Sequence, residues 1–210
     1  MTETYHHSHD HSRDQTNYRQ PFFLILGFSL LEVWGGWWAN SLALLSDAGH
    51  MLADVVSLGL AWWAAHLSAH HGVKRTLGGV PHPELWASSV NATLMLAIIA
   101  SIVYEASMRL QRPPEVAGGA VIWIALVGLM VNVLVARQLK HHAHSGDNLN
   151  REAAYLHVIG DVLGSIVAMT AGAVIYFTGW QLIDPILSLL SAALLAVMTI
   201  PLIRRVYQHI

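Results

Sequence analysis

The sequence predicts an all-α fold, a polytopic membrane protein with six transmembrane helices. Three observations lead there. Of 210 residues, 54% are hydrophobic and only 11% are charged, whereas a soluble domain carries about 25% charged residues. Apolar runs of the roughly 20 residues that a bilayer crossing needs recur six times, at about 21–40, 42–66, 84–108, 118–139, 153–177 and 182–203. Between them the chain leaves almost no length for a soluble unit.

Taken in order, residues 1–20 are polar, carry His6, His7, His9 and His11, and lack the apolar core of a cleavable secretory signal. They are expected to form a disordered cytoplasmic tail, followed by a six-helix transmembrane domain over residues 21–205. Breaks fall where helices should end: Asn40-Ser41 after the first span, the Gly- and Pro-containing stretch from Ser68 to Pro83, then Arg112-Pro113-Pro114, His141 to Arg151, and Thr178-Gly179-Trp180. Asn148 or Asn150 is placed to cap the fifth helix. Trp34, Trp37, Trp38, Trp62 and Trp63 read as interfacial or lipid-facing bulk, the usual place for membrane tryptophans.

Basic residues set the orientation. Nine of the eleven (Arg13, Arg19, Lys74, Arg75, Arg137, Lys140, Arg151, Arg204 and Arg205) fall on one side of such a topology, and only Arg109 and Arg112 on the other. The positive-inside bias makes both termini cytoplasmic, so the second and fifth helices run antiparallel.

Several functions are excluded or disfavoured. A formal net charge of −2 gives no reason to expect a nucleic-acid partner. Without cysteine there are no disulfides and no thiolate metal ligands. No His-Glu-x-x-His, Gly-x-Ser-x-Gly or P-loop pattern marks an enzyme.

The chemistry lies in two copies of one pattern. His50 and Asp54 are four residues apart in the second apolar run, and His157 and Asp161 repeat that spacing in the fifth. On an α-helix each pair shares a face. A carboxylate near the bilayer centre costs about 2.5–3.5 kcal/mol on insertion scales, so it normally faces a partner or a pathway. One such pair is explained as well by interhelical hydrogen bonding as by ligation; two on antiparallel helices point to a cation. Two imidazoles and two carboxylates suit a divalent ion, with tetrahedral Zn²⁺ the best match and Cd²⁺, Co²⁺, Fe²⁺ or Mn²⁺ as alternatives. Asp47 shares the face of His50, where it relays protons, supports the site indirectly or caps the helix. Glu32, Asn91 and Asn132 read as polar interhelical contacts. Imidazole binds metal only when neutral, so protons and metal compete, and export of metal against entering protons follows. The other reading is a membrane metal-binding protein that moves nothing. His6 to His11, with His141, His142 and His144, are either solvated segments or metal-capturing tracts at the inner mouth.

At these residues the sequence resembles the cation diffusion facilitator family, in particular its bacterial zinc exporters. The likeness runs from about Leu30 to Ile203 and is carried by Ser41 to Asp54, Asn91, Ala153 to Ser165 and Asp184-Pro185-Ile186. It implies metal/proton antiport by alternating access in the bacterial cytoplasmic membrane, a homodimer, and Zn²⁺ as transported substrate held by His50, Asp54, His157 and Asp161. Two features depart from the family. The sequence ends at Ile210, so no C-terminal cytoplasmic domain is expected, and the linker Lys74 to Glu84 lacks the family's aromatic-Gly-basic pattern.

Overall fold

In a bilayer every backbone polar group must be satisfied within the protein, which for an apolar chain of this kind means helices. The computed structural model describes residues 19–71, 76–77, 80–141 and 148–207, and the side chains of 23–57, 59–60, 63, 86–135, 137, 159–201 and 203–204. It contains six helices: α1 (Arg19–Trp38), α2 (Leu42–His71), α3 (His82–Gln111), α4 (Gly118–His141), α5 (Asn148–Thr178) and α6 (Ile183–Tyr207). A two-residue hairpin, β1 (Thr76–Leu77) and β2 (Val80–Pro81), pairs antiparallel between α2 and α3. Among the described residues, Trp86–Gln111, Gly118–Val135, Ile159–Thr178 and Ile183–Pro201 are long and apolar enough to cross a membrane, and Phe23–Trp38 is a shorter apolar segment. The fold is that of an all-α polytopic membrane protein.

The turn between α1 and α2 shows how locally the sequence dictates the path. Asn40 adopts φ 57°, a left-handed conformation that Asn tolerates better than most residues. Its N–H donates to Trp37 O at 3.2 Å and the Ser41 N–H to Gly36 O at 2.9 Å, the two bonds of a Schellman ending. Ser41 then starts the next helix, its Oγ accepting the Leu44 N–H at 3.3 Å as an N-cap does. Gly179, with φ 71°, ends α5 in the same left-handed region.

Helix α4 lies along α5, and α3 along α6, while α2 packs against α1, α3, α5 and α6. Small residues permit the closest approach: a Cβ on Gly118 of α4 would lie 2.8 Å from Gly172 O and from Tyr176 N of α5. One core cluster joins Ala43 and Leu44 to Val121, Ala125, Ala168, Ala171 and Ile175; a second joins Ile102 to Ala192 and Leu195. Trp34, Trp37, Trp38 and Trp63 all point outward, as expected for lipid-facing bulk. Glu32, Asp47, His50, Asn132, Ser165 and Asp184 are buried inside.

Candidate metal centre

His50 lies two turns into α2, buried, with a carboxylate on each side. Its Nδ1 is 3.5 Å from Asp54 Oδ2, one turn further along the same helix, and its Nε2 is 3.3 Å from Asp161 Oδ1 of α5. One donor atom from each of the three lies within 4.8 Å of the others. A tetrahedral ion with ligands at 2.0–2.1 Å has donor–donor edges of about 3.3–3.4 Å, so the three groups need to close by only an ångström or so to grip one. Asp47 stays outside this trio, buried beside it.

The site is braced from α4 and α5. Asn132 donates through Nδ2 to the Asp161 carbonyl and to Ser165 Oγ, both at 3.2 Å, and Ser165 Oγ donates to Asp47 Oδ2 at 3.1 Å. The Asp47 carboxylate occupies the space that a side chain on Gly164 would need. Asn132 thus makes the interhelical contact expected of it, and Asp47 is tied to α5 through Ser165. Glu32, fully buried on α1, neighbours Asp47.

These contacts also fix the direction of the helices. Asp47 meets Gly164 and Ser165 while His50, further along α2, meets Asp161, earlier in α5. The two helices are therefore antiparallel, as the basic loops predicted. Continued by one turn, that register places position 157 of α5 level with Asp54. The His157 side chain lies outside the described residues, as do those of the His-rich segments.

A second polar cluster, which sequence reasoning did not assemble, ties the far end of α2. Asp184, fully buried in the first turn of α6, accepts hydrogen bonds from Ser41 Oγ at 2.6 Å, the Leu42 N–H at 2.7 Å and the Ala43 N–H at 3.3 Å. Arg109 of α3 stands 3.9 Å from the same carboxylate and donates to Asn40 O at 2.7 Å and to Glu105 Oε1 at 2.9 Å. An acid at a helix N-terminus satisfies donors that have no partner within the helix and complements the helix dipole. The available signal was an Asp beside Pro185 at a helix start, but nothing in the sequence says that it caps a different helix.

A small cavity between α2, α5 and α6 reaches the site, with Ser46, Asp47, His50 and Ser191 as its polar lining.

Comparison with known proteins agrees with this architecture. Residues 21–210 match the model of the cation efflux transmembrane domain. The chain is 40% identical over 190 residues to a cadmium, cobalt and zinc/H(+)-K(+) antiporter of Bacillus velezensis, covering 90% of this chain and 61% of that protein. It is 41% identical over 197 residues to the zinc transporter ZitB of Escherichia coli, covering 92% and 63%. With the metal cation efflux system protein CzcD of Cupriavidus metallidurans it shares 35% identity over 185 residues, 88% and 58%. The chain thus spans about three fifths of the length of these curated relatives. A match over nearly its whole length, on a six-helix membrane fold, places this chain in the cation efflux, or cation diffusion facilitator, family.

Proposed function

We propose that this chain is the transport domain of a secondary active exporter, not an enzyme, that moves Zn²⁺ out of the bacterial cytoplasm in exchange for protons. In this reading the substrate ion is held by His50, Asp54, His157 and Asp161, with Asp47 in support, both termini are cytoplasmic, and the working unit is a homodimer. The carrying observation is the convergence of His50, Asp54 and Asp161 from two antiparallel helices within 4.8 Å inside an apolar bundle.

The geometry supports the exchange chemically. Each ring nitrogen of His50 faces a carboxylate, an arrangement that suits the two N–H donors of an imidazolium. A metal ion requires one of those nitrogens bare. Protonated histidine between two carboxylates and metal-bound histidine beside the same two are alternative loads of one site, and exchanging them across the membrane is antiport. Relatives named for cadmium and cobalt as well as zinc favour a second reading in which those ions are also carried, since N and O donors separate such ions weakly.

The test is zinc and proton flux in proteoliposomes under a pH gradient, with Cd²⁺ and Co²⁺ as competitors. Zinc accumulation against its gradient with counter-movement of protons is the expected result. Binding without flux would leave only a membrane metal-binding protein.

A further inference from the structure

We propose that Ser46 of α2 and Ser191 of α6 form a hydration step beside the metal cluster: their hydroxyls take over hydrogen bonds of the waters that a divalent cation still carries as it passes through the cavity between α2, α5 and α6 to or from His50. The role rests on the metal transport proposed above and sets how fast the site loads, not which residues hold the ion.

Hydroxyls inside helices commonly return to a carbonyl three or four residues earlier. This chain does so repeatedly: Ser57 Oγ donates to Ala53 O at 2.6 Å, Ser188 Oγ to Asp184 O at 2.7 Å and Thr199 Oγ1 to Leu195 O at 2.7 Å. Ser46 departs from that habit. Its side chain is fully buried, and its Oγ meets no hydrogen-bond partner among the described residues. A buried hydroxyl without a partner is costly and uncommon, so Ser46 marks a place that receives a polar guest.

The cavity limits what that guest is. Its volume is about 50 Å³, and one water needs roughly 10–15 Å³ on this measure, so it has room for about three waters or for an ion with part of its shell. Leu163, Leu194, Leu195 and Met198 make the wall largely apolar, while Asp47 and His50 bring it to the metal cluster. Ser46 and Ser191, the latter also buried, add hydroxyls from two different helices.

Taking a divalent ion out of water is expensive, and an apolar wall offers its waters nothing in return. A hydroxyl both donates and accepts, so it can hold a water that the ion keeps or sheds. It carries no charge with which to rival the carboxylates for the ion itself. The two serines therefore lower the barrier to entry and exit without deepening the well at His50, Asp54 and Asp161.

The experiment follows zinc chloride binding and release by stopped flow with a fluorescent zinc indicator, on purified protein in nanodiscs, beside equilibrium titration calorimetry. Ser46→Ala and Ser191→Ala should each slow association and release by the same factor, about three- to tenfold for one lost hydrogen bond, and keep the wild-type equilibrium affinity. Ser191→Thr, which retains a hydroxyl, should recover most of the rate. The chain has no cysteine, so Ser191→Cys supplies a single thiol and a second measurement that does not depend on the alanine variants folding. That thiol should react with a small charged methanethiosulfonate, which attacks from water, whereas Leu190→Cys, on the outward face of the same helix, should not. Wild-type rates in the folded alanine variants, or a thiol at 191 that the reagent never reaches, overturn the hydration step and leave transport at the His50 cluster intact. Weaker equilibrium affinity through faster release makes the serines part of the holding site and overturns it too. A wild type that neither binds nor moves zinc overturns the exporter reading itself.

Discussion

Asp184 and Ser41, 143 positions apart in sequence, are joined by a 2.6 Å hydrogen bond inside the bundle. The same carboxylate takes two backbone N–H groups of α2, so one acid on α6 fixes the start of the helix that carries His50 and Asp54. Hydrogen bonds to a charged group contribute about 1.5–3 kcal/mol each. Asp184→Ala removes three and leaves Arg109 without its buried counter-charge. The expected outcome is a loss on the order of 3 kcal/mol or more, read as a lower unfolding midpoint in detergent, with Asp184→Asn intermediate because it keeps an acceptor.

The ligand assignment predicts a different pattern. His50→Ala, Asp54→Ala, His157→Ala and Asp161→Ala should each abolish proton-driven zinc flux while the protein still inserts and folds. Loss of an outer partner to a ligand typically costs 10–100-fold in metal affinity, so loss of a ligand should reach at least about 100-fold. Calorimetric titration with zinc checks this directly, and wild-type affinity in any of the four would remove that residue from the site.

Acidification should weaken zinc binding. Metal binds the neutral imidazole and protonation competes with it, so the sign is fixed: affinity is highest at high pH and falls as the histidines take up protons. Once binding of one zinc displaces one proton, apparent affinity drops about tenfold per pH unit. Zinc titrations between pH 5.5 and 8, the range that brackets the ordinary histidine value of about 6.5, test the slope. A flat profile would contradict histidine ligation.

Gly164→Ala should push the Asp47 carboxylate out of its place, because the added methyl group collides with it. Overpacking of this kind costs about 1–3 kcal/mol, and zinc flux should fall with it. Gly59→Ala, on α2 and with nothing within 4 Å of the added Cβ, is the control. It should be neutral or gain up to about 1 kcal/mol from helix propensity.

Ser165→Ala removes the hydroxyl that donates to Asp47 and accepts from Asn132. Leaving buried polar groups unpaired costs about 1–3 kcal/mol. The expected signature is reduced stability together with weaker zinc binding, because Asn132 also holds the Asp161 backbone; Ser165→Thr, which keeps a hydroxyl, should restore part of both.

Much of this was legible in the chain. Six apolar runs gave six helices, and the repeated His-x-x-x-Asp spacing identified the helices that meet at the site. Helix ends were less legible. The second run loses its apolar character near residue 66 while α2 continues to His71, and α5 begins at Asn148, before its apolar part starts. Backbone hydrogen bonding extends a helix past the membrane core without any hydrophobic signal. The β1–β2 pairing at Thr76–Pro81 likewise had no alternating pattern to announce it. The partners of Asp184 and Ser165 stayed hidden for another reason: Ser41 and Asp47, to which they bond, lie more than a hundred positions away. No spacing rule reaches that far.

Ser41 belongs to two helices at once, ending the turn of α1 and opening α2, and it is bonded to α6 as well. Mechanically that is a welded elbow with no slack. A push on α2 at this end carries α1 and α6 with it or breaks a buried hydrogen bond to a charged group. The other end of α2 runs to His71. The start of α2 is therefore the fixed reference from which the places of His50 and Asp54 along that helix are set.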